Sequence, residues 1–271
     1  MKYSIITPTY NRSELLIKSV ESVLSQKNNY NAFDFEMIII NDSPDYDYST
    51  FENKYIVNSK TFSSNFQNNP KQIIDISLTK IKYFKNEKNM GVNFSRNFAL
   101  DKVSDDVDYI IFLDDDDCLY LDSLKSINKY LEKNKFINWL ICDNYFKGSK
   151  VNSVKKIKES YSYFFNYLLF KNIRGDCTHI IKKGLATSSS FSKKIKNGEE
   201  WTYFINLKSR IHYLKLHAKD IGGYLANGLT FDTKNTYTKN TRILFSEKKN
   251  LKVFIILIIR ILNIIVKTVF K

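Results

Sequence analysis

Tyr109-Ile110-Ile111-Phe112-Leu113-Asp114-Asp115-Asp116-Asp117 passes without a break from an apolar run into four carboxylates. A continuous apolar run with no alternation suits a strand covered on both faces, as in a parallel sheet between helices. Adjacent carboxylates repel one another and cannot be core; a bound cation relieves the repulsion. Hard cations such as Mg²⁺ and Mn²⁺ take carboxylate oxygens and leave positions open for phosphate. Asp114 and Asp116 lie two apart on an extended stretch, so both can point the same way. In open α/β sheets the ligand crevice lies at the carboxyl ends of the strands, where a metal could clamp a diphosphate leaving group. The bland alternative is a solvated acidic turn that caps the next helix.

Working outward, Tyr3 to Thr7 is a short apolar run ended by Pro8, and Met37 to Ile40 is another, stopping at Asn41 and Asp42. Between them Leu16, Val20, Val23 and Leu24 recur at helical spacing, with Asn11 as a candidate cap and Glu14 reaching back to it. Strand, helix, strand is a βαβ unit, which predicts an α/β fold with a mostly parallel sheet flanked by helices. Asp42, at a second strand end, can accept a hydrogen bond from the N–H of a base such as uracil. Residues 43–77 read as a loop or irregular helical insertion. Short strands are expected over 81–84, 139–142 and 177–181. Helices are expected after Gly91 through Leu100, over 121–131 with Leu121, Leu124 and Leu131 on one face, and over 199–211.

The chain has 271 residues, 42 basic against 28 acidic, for a net charge of +14. That excess favours an anionic partner, although the richness in Lys, Asn and Ile also fits a biased genome. Cys118, Cys142 and Cys177 are odd in number and lack metal or disulfide spacing, which suits a reducing compartment. The start of the chain reads as a first strand rather than a signal peptide, and a cytoplasmic protein is expected.

Five further pieces stand in order. Ser4-Ile5-Ile6-Thr7-Pro8-Thr9-Tyr10-Asn11-Arg12 precedes Leu24-Ser25-Gln26. Glu36 to Ser43, then Asn89-Met90-Gly91 with Ser95-Arg96-Asn97, lead to Phe112 through Asp117. Over residues 3–140 this resembles the family 2 glycosyltransferases of the GT-A fold. Asn41 replaces the first of their two second-strand acids. The resemblance implies a Rossmann-like GT-A sheet with a nucleotide-sugar-binding half at 1–118 and an acceptor-binding half at 119–245. It implies that Pro8, Thr9, Tyr10 and Asp42 hold the base and ribose, that Asp114 and Asp115 hold the nucleotide-sugar, and that Asp116, with Asp114 nearby, holds Mn²⁺ or Mg²⁺. Arg96 is placed near the nucleotide; pairing with a helix neighbour is the alternative.

Gly198-Glu199-Glu200-Trp201 resembles the family's acid pair at a helix start, with Glu200 where Asp is usual. The implied reaction is inverting transfer from a nucleotide-diphospho-sugar, most simply a UDP-sugar, to a saccharide or lipid-linked acceptor in surface polysaccharide synthesis. Glu200, or Glu199 as alternate, would be the base; the alternative is an acid pair that only favours the helix start. Asp176, His179 and Trp201 are candidates for lining the sugar or acceptor site, with a core histidine as the plainer reading of His179. A nucleotidyltransferase would want a Gly-rich basic loop after the first strand. A non-enzymatic basic binding module would leave the aspartates without purpose, and no nucleic-acid motif is present.

From 246 onward the chain is a separate unit. Lys252, Arg260, Asn263, Lys267 and Lys271 recur at three- or four-residue steps, with Ile256 in the gap, and form one polar stripe on an otherwise apolar helix. A span needs about 20 mostly apolar residues, and the charges at 260 and 267 interrupt it. An in-plane amphipathic helix at the inner face of the membrane is expected through 252–271, the alternative being a core helix with a cationic edge. Lys147, Lys150, Lys155, Lys156 and Lys158 either face anionic lipid or form a solvated surface.

Overall fold

The computed structural model describes residues 1–26, 33–57, 73–75, 80–155, 158–195, 200–222, 236–248 and 250–269. The principal elements in chain order are β1 (Lys2–Thr9), α1 (Ser13–Leu24), β2 (Asp34–Asn41), β3 (Ile73–Asp75), β4 (Ile81–Lys85), α2 (Val92–Leu100) and β5 (Tyr109–Phe112). They continue with α3 (Ser123–Lys133), β6 (Trp139–Phe146), β7 (Cys177–Lys182), α4 (Trp201–Phe204), β8 (Arg210–Asp220), α5 (Thr236–Lys248) and α6 (Leu251–Val269).

These strands form one sheet in the order β8-β6-β7-β5-β1-β2-β4-β3. β1, β2, β4 and β5 run parallel, β7 is antiparallel to both its neighbours, and β8 is parallel to β6. The apolar runs of β1, β2 and β5 are buried on both faces, as their lack of alternation requires. Successive residues serve opposite sides: Ile6, Ile38, Ile40, Ile110 and Phe112 pack with Ala99 and Leu100 of α2. Ile5, Met37, Ile39 and Ile111 pack with Leu16, Val20 and Val23 of α1 and Leu124, Ile127 and Leu131 of α3.

Details of the strand ends matter for the site. The β1–β5 ladder stops at Ile6 opposite Phe112, so the N–H that Pro8 lacks would fall beyond it. Gln26 joins α1 to the chain after the aspartates, donating to the Tyr120 carbonyl at 2.9 Å and accepting from Leu124 N–H at 3.2 Å. Gly91 enters α2 at φ 86, a conformation that glycine adopts without a Cβ clash.

Several expectations are corrected. Asn11 does not cap α1; it sits at φ 55 and donates its N–H to Ser43 Oγ at 2.7 Å. Leu121 precedes α3 and is exposed. The helix expected over 199–211 shortens to Trp201–Phe204, and β8 follows, an 11-residue strand. Within it Leu214-Lys215-Leu216-His217-Ala218-Lys219 alternates apolar and polar, the period of a half-buried strand, and its pairing with β6 shifts register near Leu214 and His217. In α6, Val253 and Ile256 are buried against the body, while Lys252 at the start of the polar stripe is exposed. Gly198, Glu199, Lys156 and residues 223–235 lie outside the described residues.

Candidate active site

The carboxyl ends of β1, β2 and β5 meet at Thr9. Its carbonyl accepts from Asp42 N–H at 2.9 Å, and its hydroxyl donates to Asp115 Oδ2 at 2.8 Å. The two acidic strand ends therefore share one edge of the sheet.

The four aspartates divide among three cations, Asp115 and Asp116 at Arg12, Asp117 at Lys219 and Asp114 at Arg96. Asp115 is buried, takes Thr9 Oγ1 and lies 3.2 Å from Arg12 Nη1. Asp116 lies 3.4 Å from the same nitrogen. Asp117 pairs with Lys219 of β8 at 2.5 Å and accepts Gly222 N–H at 3.0 Å. Asp114 meets Arg96 Nη2 at 2.8 Å, and the same nitrogen lies 2.7 Å from Glu200 Oε1. Arg96 is buried, with its guanidinium over the Phe191 ring. Asn97 clamps that segment, donating to the Phe191 carbonyl and accepting its N–H, while Asn93 donates to the carbonyls of Ser192 and Ile195. One face of α2 thus carries Arg96 and holds the backbone of Phe191, Ser192 and Ile195.

Burial sets the titration here. It pushes the Glu200 carboxyl up to about 7, with Asp114 and Asp176 adding to the shift and Arg96 and Lys219 opposing it. Asp115 is likewise pushed up to about 7, chiefly by burial and against Thr9 and Arg12. Burial and Asp114 raise Asp116, while Arg12 opposes. For Asp114 burial is outweighed by Arg96 and Lys219, which hold it below the usual carboxylate range. Burial disfavours charge on Lys219, and Asp117, Asp176 and Asp114 overcome that and keep it protonated.

The remaining predicted residues divide. Asp176 belongs to the site: Asn144 Nδ2 donates to it at 2.8 Å and Lys219 lies 3.5 Å away. Pro8 is buried in β1, and the exposed Tyr10 turns its N–H to Asp115 at 3.4 Å. Asp42 is committed to the turn before α2, accepting from Asn86 Nδ2 at 2.7 Å, Met90 N–H at 2.8 Å and Gly91 N–H at 2.7 Å. These three bonds give Asp42 a structural role in that turn. His179 is a core residue: Trp139 Nε1–H donates to its Nδ1 at 3.0 Å, Phe204 stacks on it, and burial lowers it to about 3, leaving it neutral. Trp201 is buried in the same apolar cluster.

Sequence reasoning missed Lys219 and Gly222. Lys219 sits on the unrecognised strand β8. A Cβ on Gly222 would lie 1.9 Å from the Asp116 carbonyl oxygen, so only glycine permits this approach. Among the described residues, six carboxylates (Asp114, Asp115, Asp116, Asp117, Asp176 and Glu200) are paired with three cations, Arg12, Arg96 and Lys219. No group of three ligands is preassembled for a metal among the described residues. Mg²⁺-type ions are usually held by one or two carboxylates plus phosphate and water, and Asp116 with Asp114 fits that mode.

The carboxyl edge of the parallel strands thus gathers acids, with the Glu200 carboxylate of a later segment beside them. The sequence profile described as glycosyl transferase family 2 matches residues 4–195, and the chain belongs to that family. It is 29% identical over 215 residues to a Rickettsia bellii protein named "Uncharacterized glycosyltransferase", covering 77% of this chain and 26% of that one. It is 28% identical over 218 residues to the Campylobacter jejuni GalNAc(5)-diNAcBac-PP-undecaprenol beta-1,3-glucosyltransferase, covering 79% of this chain and 62% of that one. The chain therefore spans less than two thirds of either relative. Its fold matches S. aureus TarS 1-349 solved in complex with UDP-GlcNAc, at a TM-score of 0.67 and 18% identity, over 91% of this chain and 66% of that one. Family membership sets aside the nucleotidyltransferase and the non-enzymatic binding module.

Proposed function

We propose that this chain moves a sugar from a UDP-sugar to a saccharide or lipid-linked acceptor in surface polysaccharide synthesis, with inversion and with help from a divalent metal. The observation that carries the reading is the single Arg96 nitrogen shared by Asp114 and Glu200. It ties the end of β5, where a donor's diphosphate would lie, to an acid able to serve as base. The UDP donor is supported by the ligand of the TarS structure, and the lipid-linked acceptor by the name of the Campylobacter relative.

In this reading Glu200 takes the proton of the acceptor hydroxyl as that oxygen bonds to the anomeric carbon. The carbon–oxygen bond to the nucleotide diphosphate breaks on the opposite face, and the configuration inverts. A base with a pKa near the working pH is suited to this role, and burial places Glu200 there. Asp116 and Asp114 would hold Mn²⁺ or Mg²⁺, which when bound supplies positive charge to the leaving diphosphate. The surplus of carboxylates supports this, since they would otherwise repel a diphosphate. Thr9, Tyr10 and Arg12 flank the nucleotide side, and Asp115 stiffens it.

Peripheral contact with the inner face of the membrane through 252–271 belongs to the same proposal. No helix among the described residues is long and apolar enough to cross a membrane. Leu251, Phe254, Ile258 and Leu262 are exposed on the side of α6 away from Val253 and Ile256. The deciding experiment is thermal shift with UDP and Mn²⁺ on wild type and Asp116→Asn, followed by mass spectrometry of UDP-sugars for transfer or hydrolysis. Wild type is expected to rise with UDP only when Mn²⁺ is present, and the variant to lose that rise. Equal stabilisation of both proteins, or none, overturns the metal-and-nucleotide reading.

A further inference from the structure

We propose that the segment 163–174 in the acceptor half is a docking surface for an anionic lipid bilayer, acting beside α6. The inference rests on the peripheral-membrane part of the function above. Tyr163–Leu169 winds as a wide helical turn whose inner residues Tyr163 and Phe164 are buried in one cluster with Val253 and Ile256 of α6. Its outer residues do the opposite. Phe165 is 50% exposed and Phe170 63% exposed, with their rings stacked at 6.1 Å and 16°. Isolated exposed apolar residues are ordinary, but a stacked aromatic pair next to a helix that also exposes Leu251, Phe254, Ile258 and Leu262 marks an interaction surface.

The chemistry around the pair points to lipid. Ser153–Val154 pairs antiparallel with Ile173–Arg174, and Lys155 N–H donates to the Asn172 carbonyl at 2.7 Å. That ribbon gathers the exposed Lys155, Lys171 and Arg174 beside Phe170, with Lys158 close in sequence and Glu159 as the neighbouring acid. Aromatic rings entering the acyl boundary, with basic side chains at the headgroups, is the pattern of an interfacial anchor. A second copy related by a two-fold would bring like charges together. On this assignment the acceptor half itself rests on the membrane.

The test is co-sedimentation of the full chain with phosphatidylcholine vesicles, with and without phosphatidylglycerol, for wild type, Phe165→Ser/Phe170→Ser and Lys171→Ser/Arg174→Ser. Both pairs are exposed, so an unchanged Tm and retained stabilisation by UDP and Mn²⁺ serve as the folding control. Wild type is expected to sediment with the anionic vesicles. The Phe pair should weaken that partitioning by about tenfold or more, and the basic pair should abolish the preference for phosphatidylglycerol. Wild-type partitioning by the Phe pair overturns this inference and leaves the tail as anchor. Absence of vesicle binding by wild type overturns the membrane reading as a whole, while the donor assay stands apart from it. A dimer in sedimentation velocity that the Phe pair abolishes would assign the face to a second copy and overturn the lipid proposal.

Discussion

Glu200 reaches Asp114 through one nitrogen: Arg96 Nη2 lies 2.7 Å from Glu200 Oε1 and 2.8 Å from Asp114 Oδ1. The two acids are far apart in sequence, one ending a central strand and the other preceding a four-residue helix. A shared buried cation lowers the cost of placing both acids in one pocket, and it links the charge of one to the charge of the other.

Glu200→Gln keeps the shape and the hydrogen bond to Arg96 but cannot take a proton. Transfer is expected to fall by about 10² to 10⁴, with UDP-sugar affinity little changed. Steady-state kinetics beside donor titration by calorimetry measure the two separately. A variant with normal turnover would place the base elsewhere.

Arg96→Lys and Arg96→Ala test the coupling. Arg96 opposes the burial-driven rise of Glu200. Without it the carboxyl holds its proton to higher pH, so the acid limb of kcat/KM should move upward, further for Ala than for Lys. Arg96 is buried while its two carboxylate partners are partly exposed, so the lysine variant is the one to profile if the alanine variant is poorly folded. An acid limb that stays in place in both variants argues against this link.

Stability should also report Glu200. Its folded value, about 7, stands above its ordinary 4.5. Within that window the folded state holds a proton that the unfolded chain has released. The slope of unfolding free energy with pH is then negative, so stability declines as pH rises through the window. Asp115, also raised to about 7, adds to the same decline. The Tm of ligand-free protein is expected to fall over this range, and Glu200→Gln to make the fall shallower. Equal slopes for variant and wild type would show that Glu200 titrates normally.

Gly222→Ala forces a Cβ to within 1.9 Å of the Asp116 carbonyl oxygen and displaces the N–H that Asp117 accepts. A loss of about 1–3 kcal/mol is expected from the overpacking, together with reduced donor turnover because the acidic loop shifts. Denaturant midpoints and turnover read the two effects. An alanine variant that matches wild type in both would show that the loop accommodates the methyl.

The strands near the site were legible because their chemistry is local. Isoleucine-rich runs ending in Asn41-Asp42 and in Asp114 through Asp117 admit little besides buried parallel strands with acids at their ends. Glu200 was legible only as part of a short acid pair. β8 carried a local signal too, since Leu214-Lys215-Leu216-His217-Ala218-Lys219 alternates apolar and polar at the period of a strand; what no local pattern gave was the pairing of Lys219 with Asp117. His179 and Trp201 looked like site residues because sequence proximity to Asp176 and Glu200 says nothing about which way a side chain faces.

By itself, then, the sequence determined the sheet, its parallel core and the edge where acids collect, since hydrophobic run length and adjacent like charges are properties of neighbouring residues. Only the tertiary structure decided which acids share a cation. The pairings of Arg96 with Glu200, Lys219 with Asp117 and Gly222 with the Asp116 backbone depend on the end of β8 pairing with Cys118–Leu119 just after the aspartates, and on residues of distant segments meeting at Arg96. Such contacts arise from packing between distant segments, and no local pattern encodes them.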